Sequence, residues 1–474
     1  MDAEEFRKAA YESIDKIVDY YKNLGENNTI SSVEPGYLKA LLPEQMPNEG
    51  ESWDAVKADL DRAVIPGLTN WQSPNFFAFF PANSSYPAML GEMFSTAFTG
   101  AAFSWICSPV VTEMETIVLD WLAKAIGLPE SFLSRGTGGG VIQGSASEAA
   151  IVAVVAARER YIQESKVSGQ EESDLRGKLV AICSDNTHSS TEKAAKIAGV
   201  HLHKVPTDPK DNYRLRGAPL RKAFQDLKAQ GLVPFFVCAS IGTTTICGFD
   251  AIDEVGSVCK ETDSLIWLHI DAAYGGAALI CEEYKDLLKG IEYADSFDMN
   301  MHKWMLVNFD CSCMFVQQRT NLTDHLTLTP SYLRNDATDS GLVIDYKDWQ
   351  LPLGRRFRSL KMWMTMRMYG VEGFKNHIRR SVKQAELFNS LISSNAQFRI
   401  VTEPRLALVC FQVFSKSGED ITKTVADTLN AGKKYFVTYA VTSDGKGILR
   451  VVTGSPQTQD EHVKSLYNAI LELI

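Results

Sequence analysis

An aspartate and a lysine that lie 32 residues apart are the residues best suited to chemistry in this sequence. Asp271 ends an apolar run at residues 265–271 that is typical of a buried strand, and Lys303 lies between His302 and Trp304. A lysine amine can condense with an aldehyde, and a carboxylate can keep a pyridine nitrogen protonated so that the ring accepts electrons. The pair therefore favours pyridoxal 5′-phosphate (PLP) as a cofactor.

A segment rich in glycine and serine at residues 138–148 precedes an apolar, helical stretch at residues 149–160. Glycines let backbone N–H groups approach a phosphate, a helix N-terminus favours an anion, and Ser147 can cap the helix. The spacing fits neither the dinucleotide-binding pattern nor a P-loop. Such a turn is structural more often than not, but in a chain with Asp271 and Lys303 it predicts a phosphate site.

His188 follows a predicted buried strand at residues 179–183, and Thr244 follows another at residues 235–241. A loop histidine is often satisfied by its neighbours alone, but an imidazole here could also contact a flat cofactor ring and a substrate carboxylate. Ligands of open α/β sheets gather at the carboxyl ends of the strands. We therefore expect His188 and Thr244 to lie near Asp271.

The composition is that of an acidic globular enzyme rather than a nucleic-acid-binding or membrane protein. The 474 residues carry a net charge of −10, with 45% hydrophobic and 22% charged residues. The acidic N-terminus has no signal-peptide core, and no apolar run has the length of a membrane span. Nine scattered cysteines favour a reducing compartment, so we expect a cytoplasmic location. Cys311 and Cys313 are interpreted as strand residues, and no metal site is predicted.

The pattern of elements predicts an α/β fold. Apolar residues between Phe6 and Tyr21 recur at helical spacing, and strands alternate with helices from about residue 121. The sheet should therefore be mixed and mostly parallel, with helices on both faces. The remaining predicted elements are helices at 190–198, 220–229, beyond 361 and from 460 to the end, strands at 406–413 and 448–452, and a long mobile loop at 329–340. We predict three segments: an N-terminal helical dimerisation segment (1–85), a large PLP-binding domain (86–360) and a small C-terminal α+β domain (361–474).

Several long motifs in the expected order resemble the group II PLP-dependent amino-acid decarboxylases, specifically the aromatic L-amino-acid decarboxylases, which include tryptophan decarboxylases. The motifs lie at residues 73–81, 103–109, 112–116, 138–148, 269–274, 300–304, 308–311 and 348–358. The resemblance covers nearly the whole chain. It implies the fold-type I (aspartate-aminotransferase-like) architecture, bound PLP and an obligate homodimer with its active site at the subunit interface.

The resemblance also implies roles for residues at matching positions. Lys303 resembles the Schiff-base lysine, Asp271 the partner of the pyridine nitrogen, His188 the ring-stacking histidine, and Phe103 a residue that reaches in from the second subunit. The expected cofactor-binding residues are Ala146, Ser147, His188, Thr244, Asp271, Ala273, Asn300, His302 and Lys303. The expected substrate-binding residues are Trp71, Phe79, Phe80, Ala101, Phe103, Phe309 and Gly354.

Tyr332 lies in the predicted mobile loop, where a phenol could deliver a proton to the substrate α-carbon when the loop closes. It could equally serve only in packing. In the family that the chain resembles, tyrosine at this position accompanies simple decarboxylation, and phenylalanine accompanies aldehyde synthases that consume oxygen. Tyr332 therefore favours a decarboxylase, with catalytic residues Lys303, Tyr332, His188 and Asp271.

Gly354 and the small residue Ala101 favour an indole substrate. In plant relatives the position of Gly354 is glycine in enzymes that prefer indoles and serine in those that prefer phenols. The glycine could instead serve only a turn. The sequence thus favours L-tryptophan or 5-hydroxytryptophan, and leaves tyrosine, DOPA and phenylalanine open. Phe79 and Ala82 differ from animal relatives and lack hydroxyl groups, which weakens the case for DOPA, and Arg450 is interpreted as structural.

Three alternatives remain open at this stage. An aromatic aldehyde synthase would use the same scaffold, and Tyr332 argues against it. An aminotransferase would share the lysine and the aspartate but would release no CO2. An inactive scaffold or dimerisation partner would bind no cofactor, which the combination of Lys303, Asp271 and His188 disfavours.

Overall fold

A computed structural model describes residues 1–167, 169–328 and 330–474 of the chain. The α-helices are α1 Ala3–Lys22, α2 Tyr37–Leu41, α3 Trp53–Asp59, α4 Tyr86–Ala97, α5 Pro109–Ile126, α6 Ala146–Val167, α7 Glu172–Arg176, α8 Ser189–Ala198, α9 Gly217–Ala229, α10 Ile252–Thr262, α11 Met301–Trp304, α12 Thr320–Leu326, α13 Asp336–Asp339, α14 Arg358–Ser393, α15 Thr422–Ala431 and α16 Asp460–Leu471. The strands are β1 Gly139–Gln143, β2 Leu179–Ser184, β3 His201–Val205, β4 Val233–Ser240, β5 Trp267–Asp271, β6 Ser296–Asn300, β7 Ser312–Val316, β8 Phe398–Ile400, β9 Leu408–Val413, β10 Thr438–Val441 and β11 Gly447–Val452. None of the described helices is both long and apolar enough to cross a membrane.

The chain divides into two compact units. The terminal unit comprises Met1–Pro81, Lys383–Ala440 and Gly447–Ile474, and the central unit comprises Ala82–Val382 and Val441–Lys446. This grouping rests on contacts within one chain, whereas the predicted segment 1–85 is defined by a role between two chains. The three-segment division therefore stays a prediction.

The central unit is built on a seven-stranded mixed sheet in the order β1-β7-β6-β5-β4-β2-β3. Strands β6, β5, β4, β2 and β3 are parallel to one another, and β7 runs antiparallel to both β6 and β1. One face packs against α6 and α8, which carry a row of buried alanines and valines. Nearly every position of the inner strands is buried, so both faces are covered, as the apolar runs predicted.

The strand order brings the predicted site residues to one edge of this sheet. Parallel strands end at the same edge, and an antiparallel strand begins there. Residues that follow β1, β2, β4, β5 and β6 therefore share an edge with the residues that precede β7. The predicted gathering of functional residues at the carboxyl ends of the strands agrees with this topology.

The terminal unit contains a four-stranded sheet in the order β10-β11-β9-β8. Its core includes Phe388 of α14, Phe411 of β9, Val425 of α15 and Leu466 of α16. The predicted N-terminal helix is confirmed as α1, and a capping box of Asp2 and Glu5 begins it. Its apolar side chains, among them Phe6, Ile14 and Ile17, remain exposed in the single chain.

The predicted irregular segment 329–340 is partly wrong. Thr329 lies outside the described residues, and the segment beyond it contains a short 3-10 helix at Ser331–Leu333 and the helix α13. Asn335 caps α13 because its side-chain oxygen accepts a hydrogen bond of 3.1 Å from the N–H of Thr338. One of the polar residues that indicated a loop, Asn335, thus acts as a helix cap.

Candidate active site

Lys303 and Asp271 lie at the same edge of the central sheet. Asp271 is the last residue of β5, and Lys303 lies in the one-turn helix α11 that directly follows the adjacent strand β6. The Asp271 carboxylate accepts a hydrogen bond of 3.0 Å from the N–H of Ala273, which fixes its orientation. Burial lowers the pKa of Lys303, while the charges of Asp271 and Asp298 raise it. The lysine therefore lies within electrostatic reach of the aspartate, as predicted.

His188 is held in a neutral form beside this pair. It precedes α8, where its Nδ1 atom accepts a hydrogen bond of 3.1 Å from the N–H of Ser190 and lies 2.8 Å from the Ser190 hydroxyl. Burial lowers the pKa of His188, an effect that Asp271 opposes and Lys303 reinforces. Because Nδ1 is an acceptor, the proton of the neutral ring resides on Nε2.

The N-terminus of α6 has the features of a phosphate site, with one correction to the prediction. Ser145 rather than Ser147 caps the helix, because its hydroxyl accepts a hydrogen bond of 3.1 Å from the N–H of Glu148. The helix begins one turn earlier than the apolar pattern indicated, so Ala146 and Ser147 occupy its first turn. Backbone N–H groups in a first turn have no acceptor within the helix and favour an anion. The predicted positions of Ala146 and Ser147 thus fit a phosphate group.

Gly144 and Asn300 support this assignment. A Cβ atom on Gly144 would lie 2.7 Å from the Glu148 carboxylate, so a larger residue would displace this side chain, which accepts a hydrogen bond of 2.9 Å from the N–H of Gly144. Asn300 is buried at the end of β6, and its side-chain oxygen has no hydrogen-bond partner among the described residues. A buried amide oxygen without a hydrogen-bond partner destabilises the fold unless a ligand donates a hydrogen bond to it. The residues present therefore fit the phosphate of PLP.

His302 and Phe309 form an aromatic contact near Lys303. The Nδ1 atom of buried His302 accepts a hydrogen bond of 2.8 Å from the N–H of Cys311. The rings of His302 and Phe309 lie 3.9 Å apart between centroids, and the Phe309 ring is exposed. Burial, with a contribution from Lys303, lowers the pKa of His302 to about 3, so the ring is neutral near pH 7.

The other predicted cofactor-binding residues also lie at this edge. Thr244 belongs to the turn after β4, which Thr243 holds by accepting a hydrogen bond of 2.8 Å from the N–H of Gly248. The carbonyl oxygen of Ala273 accepts a hydrogen bond of 3.1 Å from the N–H of Asn300. This second bond joins the residues after β5 to the end of β6.

Ala101, Phe103 and Gly354 are brought together by backbone hydrogen bonds. The Ala101 carbonyl accepts a bond of 2.7 Å from the N–H of Arg355, and the Phe103 carbonyl accepts one of 3.1 Å from Lys347. A Cβ atom on Gly354 would meet no atom within 4 Å, and the backbone there is not left-handed. Within the single chain, Gly354 is therefore not required by a turn or by close packing.

A buried ion pair that the sequence analysis missed supports these segments. Glu115 of α5 pairs with Arg355, and both side chains are at most 1% exposed. Glu115 also accepts a hydrogen bond of 2.8 Å from the N–H of Ile142 in β1, and the Arg355 guanidinium lies 4.8 Å from the ring centroid of Tyr346. The available signal was the presence of both residues in motifs shared with the decarboxylases.

Tyr332 is not joined to the other predicted catalytic residues. Its side chain is 79% exposed and makes no hydrogen bond to another described residue. The segment that follows it is anchored, because Asp345 accepts a hydrogen bond of 2.5 Å from Thr338 and one of 2.8 Å from the N–H of Trp105. The role of Tyr332 stays a prediction.

Three predicted substrate-binding residues lie in the terminal unit. The rings of Trp71 and Phe79 stack with centroids 5.6 Å apart, and the Arg450 guanidinium lies 5.4 Å from the ring of Phe80. Arg450 also donates a hydrogen bond of 3.5 Å to the carbonyl of Phe79. The structural interpretation of Arg450 agrees with these contacts, and the binding roles of the aromatic residues stay predictions.

Comparison with known proteins identifies the family. The family described as "Pyridoxal-dependent decarboxylase conserved domain" matches residues 35–414. The chain belongs to this family. The aromatic-L-amino-acid decarboxylase of Rattus norvegicus is 46% identical to this chain over 477 residues, and the match covers 100% of this chain and 98% of the relative. The phenylacetaldehyde synthase of Arabidopsis thaliana is 45% identical over 481 residues, and the match covers 100% of this chain and 96% of the synthase.

A solved structure supports the same family assignment. The crystal structure of Oryza sativa TDC with PLP and tryptamine superposes on this decarboxylase with a TM-score of 0.95, at 37% identity, covering 100% of this chain and 99% of the other. The predicted fold class, enzyme class and cofactor are confirmed: the protein is a PLP-dependent decarboxylase of fold-type I.

Proposed function

We propose that this decarboxylase converts aromatic L-amino acids to arylalkylamines and CO2, with a preference for L-tryptophan or 5-hydroxytryptophan. The observation that carries the proposal is the cluster of Lys303, Asp271 and neutral His188 at one edge of the sheet. The rat relative named for aromatic L-amino acids and the TDC structure with tryptamine support the substrate class. The decarboxylation of tyrosine, DOPA or phenylalanine is compatible with the same site.

The residues that would hold PLP follow from the site. Lys303 and Asp271 would bind its reactive ring, Ala146, Ser147 and Asn300 its phosphate, and His188, Thr244, Ala273 and His302 would line it. When bound, PLP supplies an electron sink for the bond between the α-carbon and the carboxylate. Asp271 would carry the negative charge that keeps the ring nitrogen protonated, because the N–H of Ala273 already orients its carboxylate.

The proton that replaces the lost carboxylate is assigned to Tyr332. A protonated phenol on a segment anchored at Asp345 could reach the substrate only when residues near 332 move inward, which would also exclude water. Neutral His188 adds no positive charge that would hold the substrate carboxylate in place. The two residues therefore have separate tasks: His188 orients the substrate and Tyr332 delivers the proton.

We further propose that the enzyme is a homodimer located in the cytoplasm, with Phe103 contributed to the active site of the partner subunit. The exposed apolar side chains of α4, among them Leu90, Met93 and Phe94, support a subunit contact. None of the nine cysteines, all of which lie within the described residues, forms a disulfide, which supports a reducing compartment.

Product analysis of the wild type and of Tyr332→Phe tests the reaction. The wild type is expected to release amine and CO2 without peroxide, fastest from an indole substrate. The variant lacks the phenolic proton, so its product should shift towards aldehyde, ammonia and peroxide. Amine, aldehyde, CO2 and peroxide are measured for L-tryptophan, 5-hydroxytryptophan, L-tyrosine, L-DOPA and L-phenylalanine.

Tyr369→Phe is the matched control, because Tyr369 is also exposed and lies on α14. An unchanged amine yield in Tyr332→Phe would contradict the proton-donor role. Aldehyde and peroxide from the wild type would favour the second candidate function, that of an aromatic aldehyde synthase. The 45% identity to phenylacetaldehyde synthase is the observation that supports this candidate. Transfer of the amino group to an oxo-acid without CO2 would indicate an aminotransferase.

A further inference from the structure

A second carboxylate lies next to Asp271 in the sheet. Asp298 is the middle residue of β6 and is paired in register with Asp271 of β5. In parallel strands, residues in register direct their side chains to the same face. Asp298 is 1% exposed, so its carboxyl group has no access to water. A buried carboxylate in this position needs a partner.

His269 is that partner. Its Nε2 atom lies 3.0 Å from the Asp298 carboxylate, and its Nδ1 atom lies 2.8 Å from the Ser296 hydroxyl. The indole N–H of Trp267, which can only donate, gives a hydrogen bond of 2.8 Å to the same hydroxyl. The hydroxyl proton is then left to donate to Nδ1, which places the imidazole proton on Nε2, facing Asp298.

We propose that Asp298 is a positioning residue that acts through Asp271 and Lys303. Held ionised by His269, it supplies a second negative charge that stabilises the positive charge on the lysine and on the cofactor nitrogen. Asp298 can act in this way only if Lys303 and Asp271 hold the cofactor as proposed above, so the role rests on the proposed function.

The electrostatics of the pair agree with this role. Burial raises the pKa of Asp298 to about 6, Asp271 raises it further, and His269 and Lys303 lower it. Above that pH the carboxylate is ionised, and below it the second negative charge is lost. In return, the charge of Asp298 raises the pKa of Lys303. Removing the charge must therefore lower the pKa of the lysine.

The titratable groups that interact electrostatically with Asp298 come from four neighbouring elements. They are His269 and Asp271 of β5, Lys303 of α11, Cys313 of β7 and Cys238 of β4. Burial raises the pKa of both cysteines well above the ordinary value, so both stay neutral near pH 7. Asp298 is thus the one group among these that adds a negative charge to that of Asp271.

The test is a pH titration of the visible absorbance of bound PLP in the purified holoenzyme, which follows protonation of its link to Lys303. In Asp298→Asn the midpoint should fall by on the order of one pH unit, because a nearby negative charge is gone. The pH profile of kcat/KM should move in the same direction.

Asp295→Asn is the matched control. Asp295 precedes β6 directly and pairs with Arg160 at 3.0 Å, at the end of the strand remote from Lys303. The Asp295→Asn variant also loses one carboxylate, and the midpoint of its absorbance titration should equal that of the wild type. A midpoint in Asp298→Asn that also equals the wild-type value would overturn the proposal.

His269→Leu gives an independent route if Asp298→Asn does not fold. Without the Nε2 donor, Asp298 takes up a proton in its apolar surroundings, so the midpoint should fall as in Asp298→Asn. The double variant should show no further shift, because both changes remove one charge. Additive shifts would overturn the proposal.

Lys303→Ala separates the two proposals. If Lys303→Ala loses the absorbance band and Asp298→Asn titrates with the wild-type midpoint, the role of Asp298 is contradicted and the assignment of Lys303 stands. Retention of the band would overturn the assignment of Lys303, and with it the role of Asp298.

Discussion

Two neutral histidines lie in the surroundings of Lys303. Burial lowers the pKa of His188 and that of His302, and each ring uses Nδ1 to accept a hydrogen bond from the backbone. A protonated histidine in either place would repel the lysine and attract the substrate carboxylate that must leave. The two neutral rings therefore add no positive charge to the surroundings of Lys303.

Gly354 is the residue at which substrate selectivity should be adjustable without harm to the fold. We expect Gly354→Ser to lower the ratio of kcat/KM for L-tryptophan over L-tyrosine by roughly tenfold, within the ~1–3 kcal/mol that one small group contributes in such a pocket. The added side chain meets no atom within 4 Å in the single chain, so stability should not change. Steady-state kinetics with both substrates measure the ratio.

Gly177→Ser is the control for this substitution. A Cβ atom on Gly177 also meets no atom within 4 Å, and the residue lies after α7, away from the sheet edge that carries the site. The control should keep the wild-type ratio. Equal ratios in Gly354→Ser and the wild type would contradict Gly354 as a selectivity determinant.

At the scale of elements, the Glu115–Arg355 pair connects α5, β1 and the segment that carries Gly354. Glu115 accepts a hydrogen bond from β1, while the backbone N–H of Arg355 holds the carbonyl of Ala101. One buried ion pair thus holds together α5, the strand β1 that precedes the predicted phosphate site, and the segment that carries Gly354. Its effect on function acts through their position.

Arg355→Met should destabilise the protein by about 3–5 kcal/mol, because Glu115 would be left as a buried charge without its partner. Adding Glu115→Gln should restore part of that loss, since the amide oxygen can still accept the hydrogen bond from Ile142. Urea unfolding followed by circular dichroism measures both variants.

Arg216→Met is the control for this pair. Arg216 also forms ion pairs with carboxylates, Asp211 and Glu254, but its side chain is 40% exposed. Exposed pairs contribute at most about 1 kcal/mol. A loss in Arg355→Met no larger than that of the control would contradict the importance of the buried pair.

At the scale of the whole molecule, apolar side chains on helices of both units stay exposed in one chain. The set includes Phe6, Tyr11, Ile14 and Ile17 of α1, Leu90, Met93 and Phe94 of α4, and Val110, Ile117 and Trp121 of α5. Exposed apolar side chains of this kind, several on one helix, mark contacts between subunits. The proposed homodimer would cover it.

Phe94→Asp should convert the enzyme to a monomer and abolish decarboxylation, because a charge would be buried in the subunit contact and Phe103 could not reach the partner's site. Light scattering gives the mass, and CO2 release gives the activity. Ile197→Asp on α8 is the control, since Ile197 is likewise exposed but lies on a helix with no other exposed large apolar side chain among the described residues. A dimeric Phe94→Asp would contradict the proposed contact.

Local sequence patterns were sufficient to predict much of the fold. Runs of buried β-branched and aromatic residues located β2, β4 and β5, and helical spacing located α1, α8 and α9, because the periodicity of burial follows directly from backbone geometry. Sequence signals for the first residue of a helix were less reliable. The cap of α6 is Ser145 rather than Ser147, since a serine two positions away satisfies the same rule and only the backbone geometry selects between them.

Lys303, Asp271 and His188 could be found from the sequence because their residue types, strand-end positions and family motifs all indicate one cofactor. The partnership of Asp298 with His269, and that of Glu115 with Arg355, could not be. A carboxylate within a strand or a helix carries no local sign of its partner, and the partners lie 29 and 240 residues away. The amino-acid sequence by itself determined the family and the cofactor, and it predicted the residues that would bind that cofactor. Only the tertiary structure decided which buried charges neutralise one another, because strand order and register bring distant residues within a few ångströms.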